Sequence, residues 1–273
     1  MIQKIIKRLD YSVEKNITHK INNLLKKTSY DEGFIHIKTD SDTASLVLTN
    51  SFDDKTYADV VDEVNRNFPI MVNYATVISP RNAAARVKST ILGESLTLTF
   101  KDLKVNLGSS QAIIAFDFDG PKDVGFECFL YGVKSNHNEV IAVKTKKKDM
   151  IDIKDLIEAS IKNKNIINGL VHVFVPHSTA ALTVYDKNIE AVKKLEIIMN
   201  HLIPDRIDFK HRETPADSAG HIKSAMWGVA RMFAIVDGKI KLPKDQTIYF
   251  CEFDGPRNRR VITTYYGGKE NEK

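Results

Sequence analysis

Three blocks of this sequence recur at a nearly constant spacing. GFIHIKTDSDTASLVLTN, from Gly33, aligns with GLVHVFVPHSTAALTVYD, from Gly169, with Gly, His, Thr, Ala and Leu coincident. SPRNAAARVKSTILG from Ser79 aligns with TPADSAGHIKSAMWG from Thr214, and QAIIAFDFDGP from Gln111 with QTIYFCEFDGP from Gln246. The shift is 136 residues in the first block and 135 in the other two. Glycine and proline mark particular backbone conformations, so their coincidence at one offset identifies repeated structure rather than shared composition. The chain is therefore expected to fold as two copies of one domain, over residues 1–133 and 139–273. The polar stretch Lys134, Ser135, Asn136, His137 and Asn138 is the expected linker.

Each copy carries the same coarse pattern. A short strand (KIIKRL, EVIAVKT) precedes an amphipathic helix opened near Ile17 or Ile153, where Ile153, Leu156, Ile157 and Ile161 recur at helical spacing. A strand after Gly33 or Gly169 and a second helix follow. Next come a helix from Ala84 to Leu92 or Ala219 to Trp227 and strands that turn at Asp102 or Asp237-Gly238. The last strand pair is joined by Asp119-Gly120-Pro121 or Asp254-Gly255-Pro256. Grouped strands with interspersed helices predict an α+β fold, with mixed β-sheets and packed helices, rather than a doubly wound sheet.

With 273 residues, 42% of them hydrophobic, the chain can bury two ordinary cores, which excludes a disordered protein. The net charge of +5 is spread among interspersed acids and bases, and only Lys146 to Lys148 and Arg257 to Arg260 stand out. That excess suits an anionic small molecule as well as nucleic acid, and alone decides neither. Cys128 and Cys251 lie in apolar runs without CxxC spacing, as buried free thiols of a reducing compartment do. The N-terminal MIQKIIKRLDYSVEK lacks an apolar signal core, and no 18-residue apolar run occurs, so a cytoplasmic protein with no membrane partner is expected.

The duplication supplies an internal control. Residues common to both copies are demanded by the fold, and those present in one copy only are candidates for chemistry. His172 pairs with His36 and is assigned to the fold. His177, His211 and His221 stand opposite Ser41, Thr76 and Arg86, so all three are absent from the first copy. His177 follows a strand, His211 lies in a polar connection and His221 opens a helix, so their side chains can converge. Three neutral imidazoles with an open fourth position suit a catalytic zinc ion. Around them, Ser178, Thr179, Lys223, Arg257, Arg259 and Arg260 are suited to phosphate, and Glu252 to orienting a histidine or acting as general base. Asp40 and Asp42 leave open an acidic site in the first copy, with solvated loop carboxylates as the simpler reading.

GLVHVFVPHSTAALTVYD, HRETPADSAGHIKSAMWG, VDGKIKL and QTIYFCEFDGPRNRRV, in this order, resemble the YjbQ family, also called the secondary thiamine-phosphate synthase family. The resemblance spans about Glu139 to Gly267 and extends to the first copy through its fold-type residues only. It implies α+β domains that assemble as homo-oligomers, generally trimers, and a histidine cluster that holds a divalent metal. By motif, His177, His211 and His221 match the family histidines, and Asp217, Lys223, Glu252 and Arg257 fall in the matching segments. The implied activity joins a pyrimidine diphosphate to a thiazole phosphate, giving thiamine phosphate, as a side capacity. This chain departs from the family in being a tandem pair and in its His211-Arg212-Glu213-Thr214-Pro215 connection.

The resulting expectation is a metal-assisted enzyme acting on a phosphorylated small molecule, with no nucleic-acid partner. Zinc is the expected ion at His177, His211 and His221, Glu252 and Lys223 are the expected catalytic groups, and Ser178, Thr179, Asp217 and Arg257 the expected substrate contacts. A hydrolase or lyase using the same ion, and a ligand- or metal-binding module without turnover, stay open. On this reading His177→Ser removes the metal without unfolding the chain, and Ser41→His confers none.

Overall fold

The computed structural model describes residues 2–10, 15–70, 74, 79–135, 137–211 and 213–268. The first copy runs β1 (Ile2–Leu9), β2 (Lys15–Asn16), α1 (Thr18–Leu25), β3 (Glu32–Thr39), β4 (Ala44–Asn50), α2 (Asp54–Asn67), α3 (Pro80–Leu92), β5 (Ser95–Lys101), β6 (Lys104–Val105), β7 (Gln111–Asp117) and β8 (Lys122–Gly132). The second repeats the order as β9 (His137–Lys144), β10 (Asp149–Asp152), α4 (Lys154–Asn163), β11 (Asn168–Phe174), β12 (Ala180–Asp186), α5 (Ile189–Leu202), α6 (Pro215–Trp227), β13 (Ala230–Val236), β14 (Lys239–Ile240), β15 (Gln246–Glu252) and β16 (Asn258–Gly268).

Strand order repeats as well. Sheets β1-β8-β3-β5-β6 and β2-β7-β4 of the first copy correspond to β9-β16-β11-β13-β14 and β10-β15-β12 of the second. The fold is α+β, and the Asp-Gly-Pro segments join equivalent strand pairs, β7 to β8 and β15 to β16. The sheets, expected to be mixed, pair antiparallel in every ladder among the described residues. Among the described residues no βαβ crossover returns a strand parallel to its neighbour. Gly33 and Gly169 recur because a Cβ there would lie 1.9 Å from the Tyr131 carbonyl oxygen or 2.2 Å from that of Tyr266. His137 and Asn138, expected in the linker, belong to β9.

Helices α3 and α6 begin one turn earlier than the apolar periodicity suggests. Ser79 Oγ accepts from the Asn82 amide (3.1 Å) and Thr214 Oγ1 from the Asp217 amide (3.0 Å), each followed by proline in the first turn. The extra turn places Asp217 in the first turn of α6, one helical turn before His221.

The copies do not stand apart. One apolar core runs through both, from Leu9, Ile35 and Phe126 to Val173, Phe250 and Tyr265. A second core joins Val60, Val64 and Phe116 of the first copy to Ile203, Phe209 and Ile222 of the second. The contact between the copies is one-sided. The α6 side chains described from Asp217 to Ala225 are all buried, whereas α3, its counterpart, exposes Arg81, Arg86, Thr90 and Ile91. Tyr266 is buried and donates to the Gly33 carbonyl (3.3 Å), whereas its counterpart Tyr131 is 56% exposed. Gln111 donates to the carbonyls of Val175 and His177 (both 3.1 Å), pinning the loop after β11 to the first copy.

Cys128 and Cys251 are free and buried, and burial pushes both thiols up to about 12. No helix among the described residues is long and apolar enough to cross a membrane. Ile222, fully buried between the copies, tests the shared core. Ile222→Ala is expected to cost about 2–5 kcal/mol, read from urea unfolding, in a single transition that carries both copies.

Candidate functional site

The sequence Asp217-Ser218-Ala219-Gly220-His221 puts a carboxylate and an imidazole four residues apart on α6, hence on one helix face. Residues 203–211, between α5 and α6, bring His211 onto the same face. Asp217 Oδ2 lies 2.7 Å from His211 Nε2 and 3.4 Å from His221 Nε2. The ligand atoms of these three buried residues lie within 4.8 Å of one another.

The other ring nitrogens are also engaged. His221 Nδ1 donates to the Ser178 carbonyl (2.9 Å), and its Nε2 faces Asp217. His211 Nδ1 lies 2.7 Å from Asp53 Oδ2, so the ring sits between two carboxylates. Burial disfavours the charged ring, but hydrogen bonds to Asp53 and Asp217 and their charges outweigh it and raise its pKa. Asp217 shifts the opposite way: burial pushes it up, but His221 and His211 together hold it below the usual carboxylate range.

A cavity of about 340 Å³ opens beside this cluster. The second copy lines it with His177, Ser178, Thr179, Glu213, Asp217, His221, Asp254, Arg257 and Arg259, and the first with Asn50, Phe52 and Ser110. Ser178, Thr179, Asp217 and Arg257, the expected substrate contacts, all line it. Arg257 is half-exposed at the mouth and paired with Asp254 (2.7 Å), while Arg259 is buried deeper.

Three assignments made from the sequence change. His177 lines the cavity but is not one of the converging ligands. Its Nε2 accepts from the Arg260 amide (3.0 Å), and burial, with Arg259 and Arg260 nearby, lowers its pKa to about 4. Asp217 takes the third place instead, and its i, i+4 spacing from His221 is the signal that could have found it.

Glu252 is no free base. Its two oxygens accept from Arg259 Nη2 and Nε (2.5 and 2.6 Å), from the Asp254 amide and from Thr145 (both 2.9 Å). Arg259 in turn donates to Thr179 Oγ1 (2.9 Å), so the buried pair fixes the cavity wall.

Lys223 does not line the cavity. Its Nζ donates to Asn200 (2.8 Å) and lies 5.9 Å from the Phe253 ring, and burial lowers its pKa to about 8. The first copy repeats this with Lys88, Asn65 (2.6 Å) and Phe118 (5.7 Å), so the lysine belongs to the fold.

Counterpart positions in the first copy carry partly exposed ion pairs. Arg86, opposite His221, pairs with Asp42 (3.0 Å), and Asp40 pairs with Lys4 (2.8 Å) and accepts from the Gly125 amide (2.7 Å). These carboxylates are thus not a free acidic cluster. Thr76, opposite His211, lies outside the described residues.

The model of the family described as UPF0047 protein YjbQ-like matches residues 10–129 and again 139–268. The chain belongs to this family. It is a tandem duplication of the UPF0047 domain. UPF0047 protein MJ1081 of Methanocaldococcus jannaschii is 35% identical over 143 residues, 52% of this chain and 95% of that protein. UPF0047 protein YugU of Bacillus subtilis is 34% identical over 133 residues, 47% of this chain and 98% of that protein. Among solved structures, a yjbq/upf0047 family protein of Clostridium acetobutylicum is 32% identical, with a TM-score of 0.45, over 47% of this chain and 99% of that one. About half of this chain thus spans nearly the whole of each of these relatives.

Because Glu252 and Arg259 are both buried, Glu252→Gln strands a buried guanidinium. It is expected to cost about 3–5 kcal/mol in urea unfolding, a loss that a solvent-facing catalytic base would not show.

Proposed function

We propose that the second UPF0047 copy is a metal-assisted site acting on a phosphorylated small molecule. The observation that carries this reading is the single carboxylate oxygen, Asp217 Oδ2, facing the Nε2 atoms of two buried histidines. A proton or a cation must lie among them, and two imidazoles with one carboxylate and an open position form a donor set that suits zinc. His211, Asp217 and His221 would hold the ion, which when bound supplies Lewis-acid polarisation of a phosphoryl oxygen.

The cavity beside it suits the rest of such a substrate. Arg259 and Arg257 present guanidinium groups to a phosphate, and Ser178, Thr179 and Ser110 offer hydroxyls. Arg259 is held rigid by Glu252, so little side-chain freedom is lost on binding. Phe52, from the first copy, gives the mouth an aromatic wall on which a ring could lie. A phosphorylated heterocycle fits this combination, and the joining of a pyrimidine diphosphate to a thiazole phosphate is its named form.

A second reading, a metal- and ligand-binding module without turnover, is favoured by the commitment of Glu252 and Lys223 to structural contacts. Metal-dependent product from the two phosphorylated heterocycles separates the readings. A cytoplasmic setting is part of the proposal, since two free buried thiols suit a reducing compartment. So is a homo-oligomer, a trimer by resemblance. The one-sided contact leaves Tyr131 of one copy and Ile197 and Ile198 of the other exposed for it.

Metal analysis of the purified chain is expected to find one divalent ion per molecule. His211→Ala and His221→Ala should each remove it. Lys223→Met should retain it, and so should His177→Ser, against the expectation from sequence alone. Ion retained in both His211→Ala and His221→Ala would overturn the assignment.

A further inference from the structure

His211 is held by the other copy. Asp59, buried on α2, accepts from the Lys210 amide with Oδ1 and from the His211 amide with Oδ2 (both 2.8 Å). Asp53 caps α2, its Oδ1 accepting from the Lys55 amide (2.9 Å), while its Oδ2 takes the His211 Nδ1 proton (2.7 Å). Backbone and ring of one histidine are therefore set by two carboxylates belonging to the first copy.

The corresponding positions of the second copy carry neither carboxylate. Asn188 caps α5, and Lys194 stands where α2 has Asp59. The two losses are complementary. One copy has the histidines without their supporting acids, and the other has the acids without the histidines.

We propose that Asp53 is a positioning residue that acts from the first copy on the second, orienting the His211 ring so that Nε2 faces Asp217 and His221. It rests on the metal reading above for its functional meaning. A ring nitrogen bonded to a carboxylate has its tautomer and orientation set, which leaves the opposite nitrogen directed at the ion. Without Asp53 the ring can rotate about its Cβ–Cγ bond, and Asp217 alone does not hold it. The first copy is thereby a working part of the site, not a spent duplicate.

Asp53→Asn and Asp53→Ser test this, because both side chains cap a helix as well as aspartate does and neither supplies a carboxylate. The metal-free full-length protein is examined first, by proton-nitrogen NMR of the His211 ring at fixed pH. Wild type should show a slowly exchanging Nδ1 proton on this buried ring, and Asp53→Ser, which cannot reach it, should lose it while the chain stays folded. Titration with Zn²⁺ alone should then show binding weaker by about 10–100-fold in both. Retention of the Nδ1 proton in Asp53→Ser would overturn the proposal, as would its loss with unchanged Zn²⁺ affinity. If the wild-type chain takes up no Zn²⁺, the metal reading falls. The Nδ1 proton then decides by itself whether Asp53 holds the ring.

Discussion

Helix α6 is buried because α2 and β4 of the other copy cover its outer face, and the character of the site follows from that burial. A carboxylate between two imidazoles on an exposed helix would be a weak, screened contact in water. Beneath a second domain the same groups interact in a medium of lower polarisability, where each unmet hydrogen-bonding capacity is costly. Every nitrogen of His211 and His221 therefore faces a polar atom, and the carbonyl of Ser178 is as much a part of the arrangement as any acid.

The repeat and its element order were legible because both depend on local features: apolar periodicity, turn residues and glycines that a Cβ would exclude. The helix starts are written in the capping pairs Ser79-Pro80 and Thr214-Pro215, one turn before the apolar periodicity begins. The antiparallel pairing was not legible, since strand direction depends on connections whose paths no local pattern records.

At the site, His211 and His221 were found by comparing the copies, and His177 was grouped with them for the same reason. Absence from the first copy marks a difference without naming its cause. His177 differs because its loop meets Gln111 and its ring meets the β16 backbone. Lys223 passed for a catalytic group although Lys88 already stood in the other copy, which by the same control assigns it to the fold. Asp53 and Asp59 belong to the first copy alone, so residues peculiar to the second copy do not point to them. The contacts of Asp53 and Asp59 with Lys210 and His211, at separations of 151 to 158 residues, leave no periodic trace.

The one-sided contact between the copies has an evolutionary consequence. In an assembly of identical subunits one gene writes both sides of every such interface. A substitution that improves the side carrying the ligands is imposed on the side that supports them. Fusion of two genes into one reading frame ends that coupling. Each half can then shed what its neighbour provides, and here the first copy keeps Asp53 and Asp59 while the second keeps the histidine they hold.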